Sequence, residues 1–432
     1  MSEGGYLKCS LEALETALGR TPAYASWRRL DPGPDVPLDE RYAALPALTK
    51  ENIRAAHPSG LIPRLGEPGG PDLEEALRNG TVAWASTSGT TDEQVTNLWN
   101  QAWWDASERA SWRLNAVVAG TATGDHREAL LATSRSIGPR ANGGPLPFEA
   151  RRLGRYLYLN EYETVAEWPE NHCLRMAEEL SRFEPDLIEA SPSFLAAFAR
   201  RCVEGRLPVP SPRTLLFTYE LPLARQRRAI GEVFPCPSAS SYGSTEAGYV
   251  LMECEEGRHH LNSAFCRADV ALFRRGLADD GVGVLLATTF GNPWTQLLRF
   301  DIGDVVRLAR RPCPCGRSEG LTVEAIEGRT KSLTVGVGGR LVTARDVDEA
   351  LKDLPGIGDY SLCQEDDGSL FLRLVPSSSS GAVPADEARG ALRTLYGAAG
   401  VTVEASARIA PEASGKYLYV RRRTPLDWRD WV

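Results

Sequence analysis

Between residues 155 and 234 the hydrophobic pattern changes period repeatedly, and this constrains the fold more than any other stretch. "RYLYLNEY" reads as a strand and "HCLRMAEELSRF" as a helix. "PDLIEASPSFLAAFARRCVEG" reads as a strand, a turn at Ser191 and Pro192, and a helix closed by Gly205. "RTLLFTYE" is another strand, followed by the helix "PLARQRRAIGEVF". Strands that alternate with helices build a parallel or mixed sheet covered by helices, so the chain belongs to the α/β class. With 432 residues, 42% of them hydrophobic and 25% charged, it has enough apolar chain to bury a core without covalent staples.

The flanks fit the same class. Leu11, Leu14 and Leu18 mark a helix that stops near Gly19 and Thr21-Pro22. A helix is predicted over 49–57, with Thr49 as its cap and Asn52 where a capping box prefers Glu or Gln. A short helix follows over 74–78, then the strand "TVAWAS", then a helix over 101–114 carrying Trp103 and Trp104. "GVGVLLATTF" and "VVRLAR" are antiparallel additions to the sheet. After Gly328 the pattern restarts as strand, helix (344–354), strands, helix (385–396) and strands, with a loop at Ser377 to Ser380. The predicted division is therefore a large N-terminal domain, 1–327, and a small α+β C-terminal domain, 328–432.

Charge narrows the partners. Lys and Arg number 49 and Asp and Glu 57, a net charge of −8 that argues against binding nucleic acid through its phosphates. Arg421, Arg422 and Arg423 are a solvated edge. No apolar run approaches the roughly 20 residues that span a bilayer, so no membrane partner is expected. Nine cysteines at irregular spacings are no disulfide framework. The opening "MSEGGYLKCSLEALETALGR" sets no apolar run behind a basic region, and a reducing, cytoplasmic setting is the expectation.

Two clusters carry chemistry. "STSGTT" sets Ser86, Thr87, Ser88, Thr90 and Thr91 around Gly89 directly after a strand. Hydroxyls and backbone N–H groups in such a turn form an anion nest suited to polyphosphate. It lacks the terminal Lys-Ser/Thr of a Walker loop. Cys313 and Cys315 form a C-x-C, and Cys254 lies five and six positions before His259 and His260. Three thiolates and one imidazole complete a four-coordinate structural zinc site. No G-x-S-x-G or H-E-x-x-H is present, so neither a serine elbow nor a metalloprotease helix competes.

Read in order, "LPALTKENIR", "STSGTT", "YGSTEAG", "LLRFDIGDVV", "CPCGR", "IEGRT" and "PEASGKYLYV" span nearly the whole chain. Together they resemble the adenylate-forming superfamily, in its phenylacetate-CoA ligase-like branch with capsule-biosynthesis and coenzyme F390 synthetase-like relatives. The resemblance implies that the small C-terminal domain moves on a hinge. It implies that Thr87, Ser88, Gly89, Thr90 and Thr91 embrace the phosphates of ATP, and that Ser241, Tyr242, Gly243 and Ser244 line the nucleotide site, Tyr242 beside the adenine. Thr245 would contact phosphate, Glu246 would hold Mg²⁺, and Asp304 would bind the ribose hydroxyls. Arg329 would sit at the nucleotide near the hinge, and Lys416 would bridge carboxylate and phosphate as the adenylate forms. A zinc knuckle across 254–315 is implied as well, and the look of His-apolar-Asn favours His260 over His259 as the ligand beside Cys254, Cys313 and Cys315.

The implied activity is ATP-dependent activation of a small carboxylic acid as acyl-AMP, then transfer to coenzyme A. An aromatic acid is suggested by Trp99, Trp103 and Trp104, and by "FTYE" with Ser240, Ser241 and Gly243 as pocket walls. Transfer to a carrier-protein thiol or to an amine is the alternative acceptor chemistry, and a non-catalytic binding protein is the further one. A homodimer is left open. One departure bears on activity: Asp92, Glu93 and Gln94 follow the small-residue loop where such enzymes commonly carry Gly-Lys-Pro. Two acids there repel polyphosphate by like charge.

Overall fold

The computed structural model describes residues 3–86, 95–141, 144–274, 281–377, 381–412 and 414–432. They fall into two compact units. One is drawn from Met1–Ala116, Ser241–Leu272 and Gly281–Ala325, the other from Val117–Ser240, Phe273–Asp280 and Ile326–Val432.

The first unit is built on antiparallel strands. Gly248–Glu253 pairs with His259–Leu261, which pairs with the start of Thr322–Arg329. Phe300–Leu308, Val282–Thr289 and Cys266–Leu272 follow in that order. Every residue of Val282–Thr289 is buried. That explains its unbroken apolar run, because a strand covered on both faces has no polar alternation. The Gln101–Trp112 helix lies beside this sheet, and Trp103 Nε1 donates to the Phe290 carbonyl at 2.9 Å. Gly248, at φ +70, makes room for that indole: a Cβ there would stand 2.8 Å from the Trp103 ring.

Local signals in this unit hold with two adjustments. Thr49 caps Lys50–Gly60 in a complete capping box, Asn52 Oδ1 accepting from Thr49 N at 3.0 Å and Asn52 N donating to Thr49 Oγ1 at 3.3 Å. Asn thus serves where Glu or Gln is usual. The expected end at 57 falls on a kink: His57 leaves the helical region at φ 56, since proline disfavours a helical residue before it, and helical turns resume from Pro58 to Gly60. "TVAWAS" supplies the strand Ala83–Ser86, paired antiparallel with Thr96–Trp99 so that Ser86 faces Thr96.

The second unit contains the parallel sheet. Its strands run in the order Thr214–Phe217, Leu187–Ala190, Glu128–Leu131 and Tyr156–Tyr158, all parallel, with Arg152–Leu153 antiparallel at the end. The helices His172–Phe183 and Pro192–Gly205 bring Met176, Leu180, Phe194 and Phe198 to a core shared with Leu131, Leu157 and Phe217. Each such side chain contributes about 1.5–3 kcal/mol of burial. "RYLYLNEY" yields only Tyr156–Tyr158 as strand. The Asn160 side-chain amide donates to the carbonyls of Ala132 and Tyr162, both at 2.7 Å, and so takes over where the ladder ends.

The restart after Gly328 is a separate α+β body within this unit. Val401–Ala405, Leu370–Pro376, Ile357–Gln364 and Val420–Arg422 form its sheet in that order. The helices Ala344–Leu351 and Ala385–Tyr396 add Val347, Leu351 and Leu392 to a core with Leu362 and Leu372. Ser238–Ser244 changes partners along its length. Ser238 to Ser240 pair in parallel with Thr214–Phe217, and Ser241 to Ser244 pair antiparallel with Gly248–Glu253.

Candidate active site and metal centre

"YGSTEAG" is a tight β-hairpin. Ser244 faces Gly248, Gly243 faces Tyr249, and Thr245, Glu246 and Ala247 make the turn, closed by Ala247 N donating to Ser244 Oγ at 3.1 Å. A Cβ on Gly243 would meet the Gly248 carbonyl oxygen at 2.2 Å, so only glycine lets the two backbones approach. The register shifts between Tyr242 and Gly243, and such a bulge re-aims the side chains beside it. The Tyr242 hydroxyl donates to Asp304 Oδ2 at 2.7 Å across 62 positions of sequence. Asp304 and Glu246 are both buried. The buried Ser241 hydroxyl has no hydrogen-bond partner among the described residues. An orphaned buried hydroxyl on the strand that carries Tyr242 asks for a polar ligand.

Phe300–Leu308, which carries Asp304, is pinned by the first of the seven strings. Leu48 N donates to the Arg299 carbonyl and Asp301 N to the Leu48 carbonyl, each at 2.9 Å. The loop expected to embrace phosphate, Thr87, Ser88, Gly89, Thr90 and Thr91, lies outside the described residues, as do Asp92, Glu93, Gln94 and Ser378 to Ser380. Trp99 and Trp104 stand with ring centroids 4.3 Å apart and Trp104 meets Tyr249 at 5.0 Å, so these rings pack against the hairpin's second strand.

The cysteines converge in the same unit. Ligand atoms of Cys254, His260, Cys313 and Cys315 lie within 4.8 Å of one another. Cys254 Sγ and Cys313 Sγ are 3.7 Å apart, and Cys315 Sγ stands 3.2 Å from His260 Nε2. Around a tetrahedral zinc with Zn–S near 2.3 Å and Zn–N near 2.0 Å, those edges would be about 3.8 and 3.5 Å. His260 is in the group and His259 is not. Thr322 Oγ1, 3.4 Å from His260 Nδ1, orients the ring from behind. Burial pushes the Cys254 thiol up to about 12. Burial and the nearby Arg317 hold His260 below its usual value, which keeps the imidazole neutral. Two braces close the knuckle. Arg317 makes a double ion pair with Glu255 at 2.7 and 3.1 Å, and Arg258 Nη1 donates to the Arg311 and Pro312 carbonyls at 2.9 and 3.0 Å.

Lys416 and Arg329 belong to the second unit. Arg329 ends the Thr322–Arg329 strand and caps the short turn Thr330–Ser332. Lys331 Nζ bonds both oxygens of Glu412 at 3.0 Å. Of "FTYE", Phe217 is core, the Tyr219 hydroxyl donates to Glu189 at 2.7 Å, and Glu220 accepts from Ser191 and Ser193. The sequence offered Glu220 only as a pocket wall within "FTYE", and it did not single out Glu412 or Thr322. The only hint was that Glu220 closes a strand and Thr322 faces His260 across a ladder. All nine cysteines are free, and among the described residues no helix is long and apolar enough to cross a membrane.

No family model matches the chain. Protein CapK of Staphylococcus aureus is 22% identical over 205 residues, 47% of this chain and 44% of that protein. Phenylacetate-coenzyme A ligase of Thermus thermophilus is 28% identical over 200 residues, 44% of each. The match thus spans less than half the length of either curated relative. Among solved structures, 2-hydroxyisobutyryl-CoA ligase in its postadenylation state superimposes with a TM-score of 0.68 at 16% identity, covering 97% of this chain and 89% of that one. The fold is that of the adenylate-forming enzymes. At that level of identity the likeness to the solved ligase is one of fold.

Proposed function

We propose that this protein is an AMP-forming acid–thiol ligase: it activates a small carboxylic acid with ATP and passes the acyl group to coenzyme A. The observation that carries this is the Tyr242–Asp304 contact at 2.7 Å, which joins two of the strings that resemble nucleotide-binding segments inside the matching fold. Asp304, an acceptor of hydrogen bonds, suits a ribose diol. Ser241, Gly243 and Ser244 would line the nucleotide site, with Tyr242 beside the base. Thr87 to Thr91 would receive the phosphates, with Thr245 at the hairpin turn as a further donor and Arg329 a cation from the hinge segment. Glu246 would hold Mg²⁺, which offsets phosphate charge when bound. Lys416 then neutralises the charge that builds up as the carboxylate meets the α-phosphorus, the kind of stabilisation that lowers an acyl-transfer barrier most.

Cys254, His260, Cys313 and Cys315 would hold a structural Zn²⁺. The donor set is right for that ion, and the group has the spacing of a closed tetrahedron. Its role is to keep the hairpin's second strand and the segment after Phe300–Leu308 in register. The free thiols fit a reducing, cytoplasmic setting.

The test is product analysis. The enzyme with ATP, Mg²⁺, coenzyme A and a panel including phenylacetate, benzoate and 2-hydroxyisobutyrate should yield AMP, pyrophosphate and one acyl-CoA. Pyrophosphate without thioester would move the acceptor to a carrier-protein thiol or an amine. No acid-dependent pyrophosphate at high enzyme concentration would leave a binding protein, with Asp92 and Glu93 the reason.

A further inference from the structure

The segment carrying Lys416 is seated in a cradle whose parts follow the ends of four separate strands. After Thr214–Phe217 the chain turns sharply, and Tyr219 sits in the left-handed region at φ 69. That conformation is costly for a tyrosine. Buried Glu189 holds it by accepting from the Tyr219 hydroxyl at 2.7 Å and from Thr218 Oγ1 at 3.2 Å. The turn delivers Glu220 to the start of the Pro192–Gly205 helix. There Glu220 Oε2 accepts from the hydroxyls of Ser191, at 2.6 Å, and Ser193. Its other oxygen accepts the backbone N–H of Tyr417, the residue after Lys416, at 2.9 Å.

The other side of the cradle is steric. Gly415 has φ +81, and a Cβ on it would stand 2.7 Å from Thr133 Oγ1 and 3.3 Å from the Glu163 carbonyl oxygen. Thr133 Oγ1 donates to that same carbonyl at 2.8 Å, so its position is fixed. Glu412 N donates to the Lys416 carbonyl at 2.8 Å, and the Glu412 carboxylate is held by Lys331. Lys416 is thus braced from before, behind and below.

We propose that Glu220 is a positioning residue: by accepting the Tyr417 N–H while anchored on Ser191 and Ser193, it seats Lys416 for acyl-adenylate formation and lets go for the second half-reaction. This rests on the ligase activity proposed above. A charge-assisted hydrogen bond is strong enough to fix a backbone segment and still weak enough to be exchanged in a catalytic cycle.

Two measurements on the full chain test it. In Glu220→Ala, amide hydrogen exchange at Tyr417 should speed up by about tenfold, while exchange in the Val282–Thr289 strand stays as in wild type. The same variant should form acyl-adenylate about tenfold more slowly at unchanged ATP KM, and should convert chemically supplied acyl-adenylate to thioester within about twofold of wild type. Glu220→Gln, whose amide oxygen can still accept from Tyr417, should recover most of both. If Glu220→Ala does not fold, Ser193→Ala carries the test with a smaller change in the same direction. Unchanged exchange at Tyr417, or an equal loss in both half-reactions, overturns the proposal. A wild-type protein inactive with every acid overturns the ligase activity instead, and the exchange result still decides the seat.

Discussion

The thiol-lined knuckle and the Lys416 turn are held in opposite ways. His260 projects from a ladder in which His259–Leu261 is paired on both sides, Cys254 directly follows the Gly248–Glu253 strand, and the loop that carries Cys313 and Cys315 is braced by the Arg317–Glu255 ion pair. The Lys416 segment has no such ladder until Val420–Arg422. It rests on the Glu220 carboxylate, on the close approach of Gly415 to Thr133, and on the Lys331–Glu412 ion pair. The first arrangement fixes a register permanently. The second can be undone by exchanging a few polar contacts, each worth on the order of 1–3 kcal/mol. The role proposed for Lys416, acting in one half-reaction and leaving in the next, calls for the second kind of support.

Four changes would break or sharpen that contrast. Lys416→Ala should lower acyl-adenylate formation by about 10³-fold, as loss of a charge-stabilising donor does, with the melting temperature unchanged. Acid-dependent pyrophosphate release and calorimetry check it together. Cys313→Ser should do the reverse: bound zinc, about one per chain by elemental analysis in the parent, disappears, and stability falls by roughly 3 kcal/mol or more. Asp304→Asn should raise the KM for ATP about tenfold with little change in stability, because the amide keeps one acceptor for Tyr242 but loses the charge proposed to bind the ribose diol.

The gentlest probe is pH. His172 packs between Trp168 and Tyr162, both at 5.1 Å, under the loop that carries Glu163. Burial pushes it from 6.5 down to about 3; Arg175 and Arg151 add to the shift, and Glu161 opposes it. The unfolded chain therefore binds a proton that the folded one refuses between those values. Stability should fall as pH drops from 6.5 toward 3, by at most about 1.4 kcal/mol per pH unit from this group. Denaturant titrations of wild type and His172→Gln should differ in slope across that window and agree above it.

What the sequence disclosed follows the same division. The strands, the helices and the restart after Gly328 were legible because their signals are local: period, caps and glycines. The knuckle was legible because thiols and imidazoles announce themselves, and "His-apolar-Asn" separated His260 from its neighbour. Tyr242 and Asp304 were named one by one, but their bond spans 62 positions and no spacing rule foretells it. Glu220 was read only as a pocket wall within "FTYE", because a carboxylate at a strand end is ordinary. Its meaning comes from Ser191, Ser193 and Tyr417, which only the folded chain assembles. The break at His57 was legible from the Pro that follows it, and only the short resumption from Pro58 to Gly60 was not.

The most direct test of the central claim is acid-dependent exchange of labelled pyrophosphate into ATP by the wild-type protein, measured without coenzyme A. Exchange that requires a carboxylic acid, gives acyl-AMP as the only other nucleotide, and vanishes in Lys416→Ala is the predicted result. Exchange that ignores the acid, or ADP in place of acyl-AMP, would contradict it.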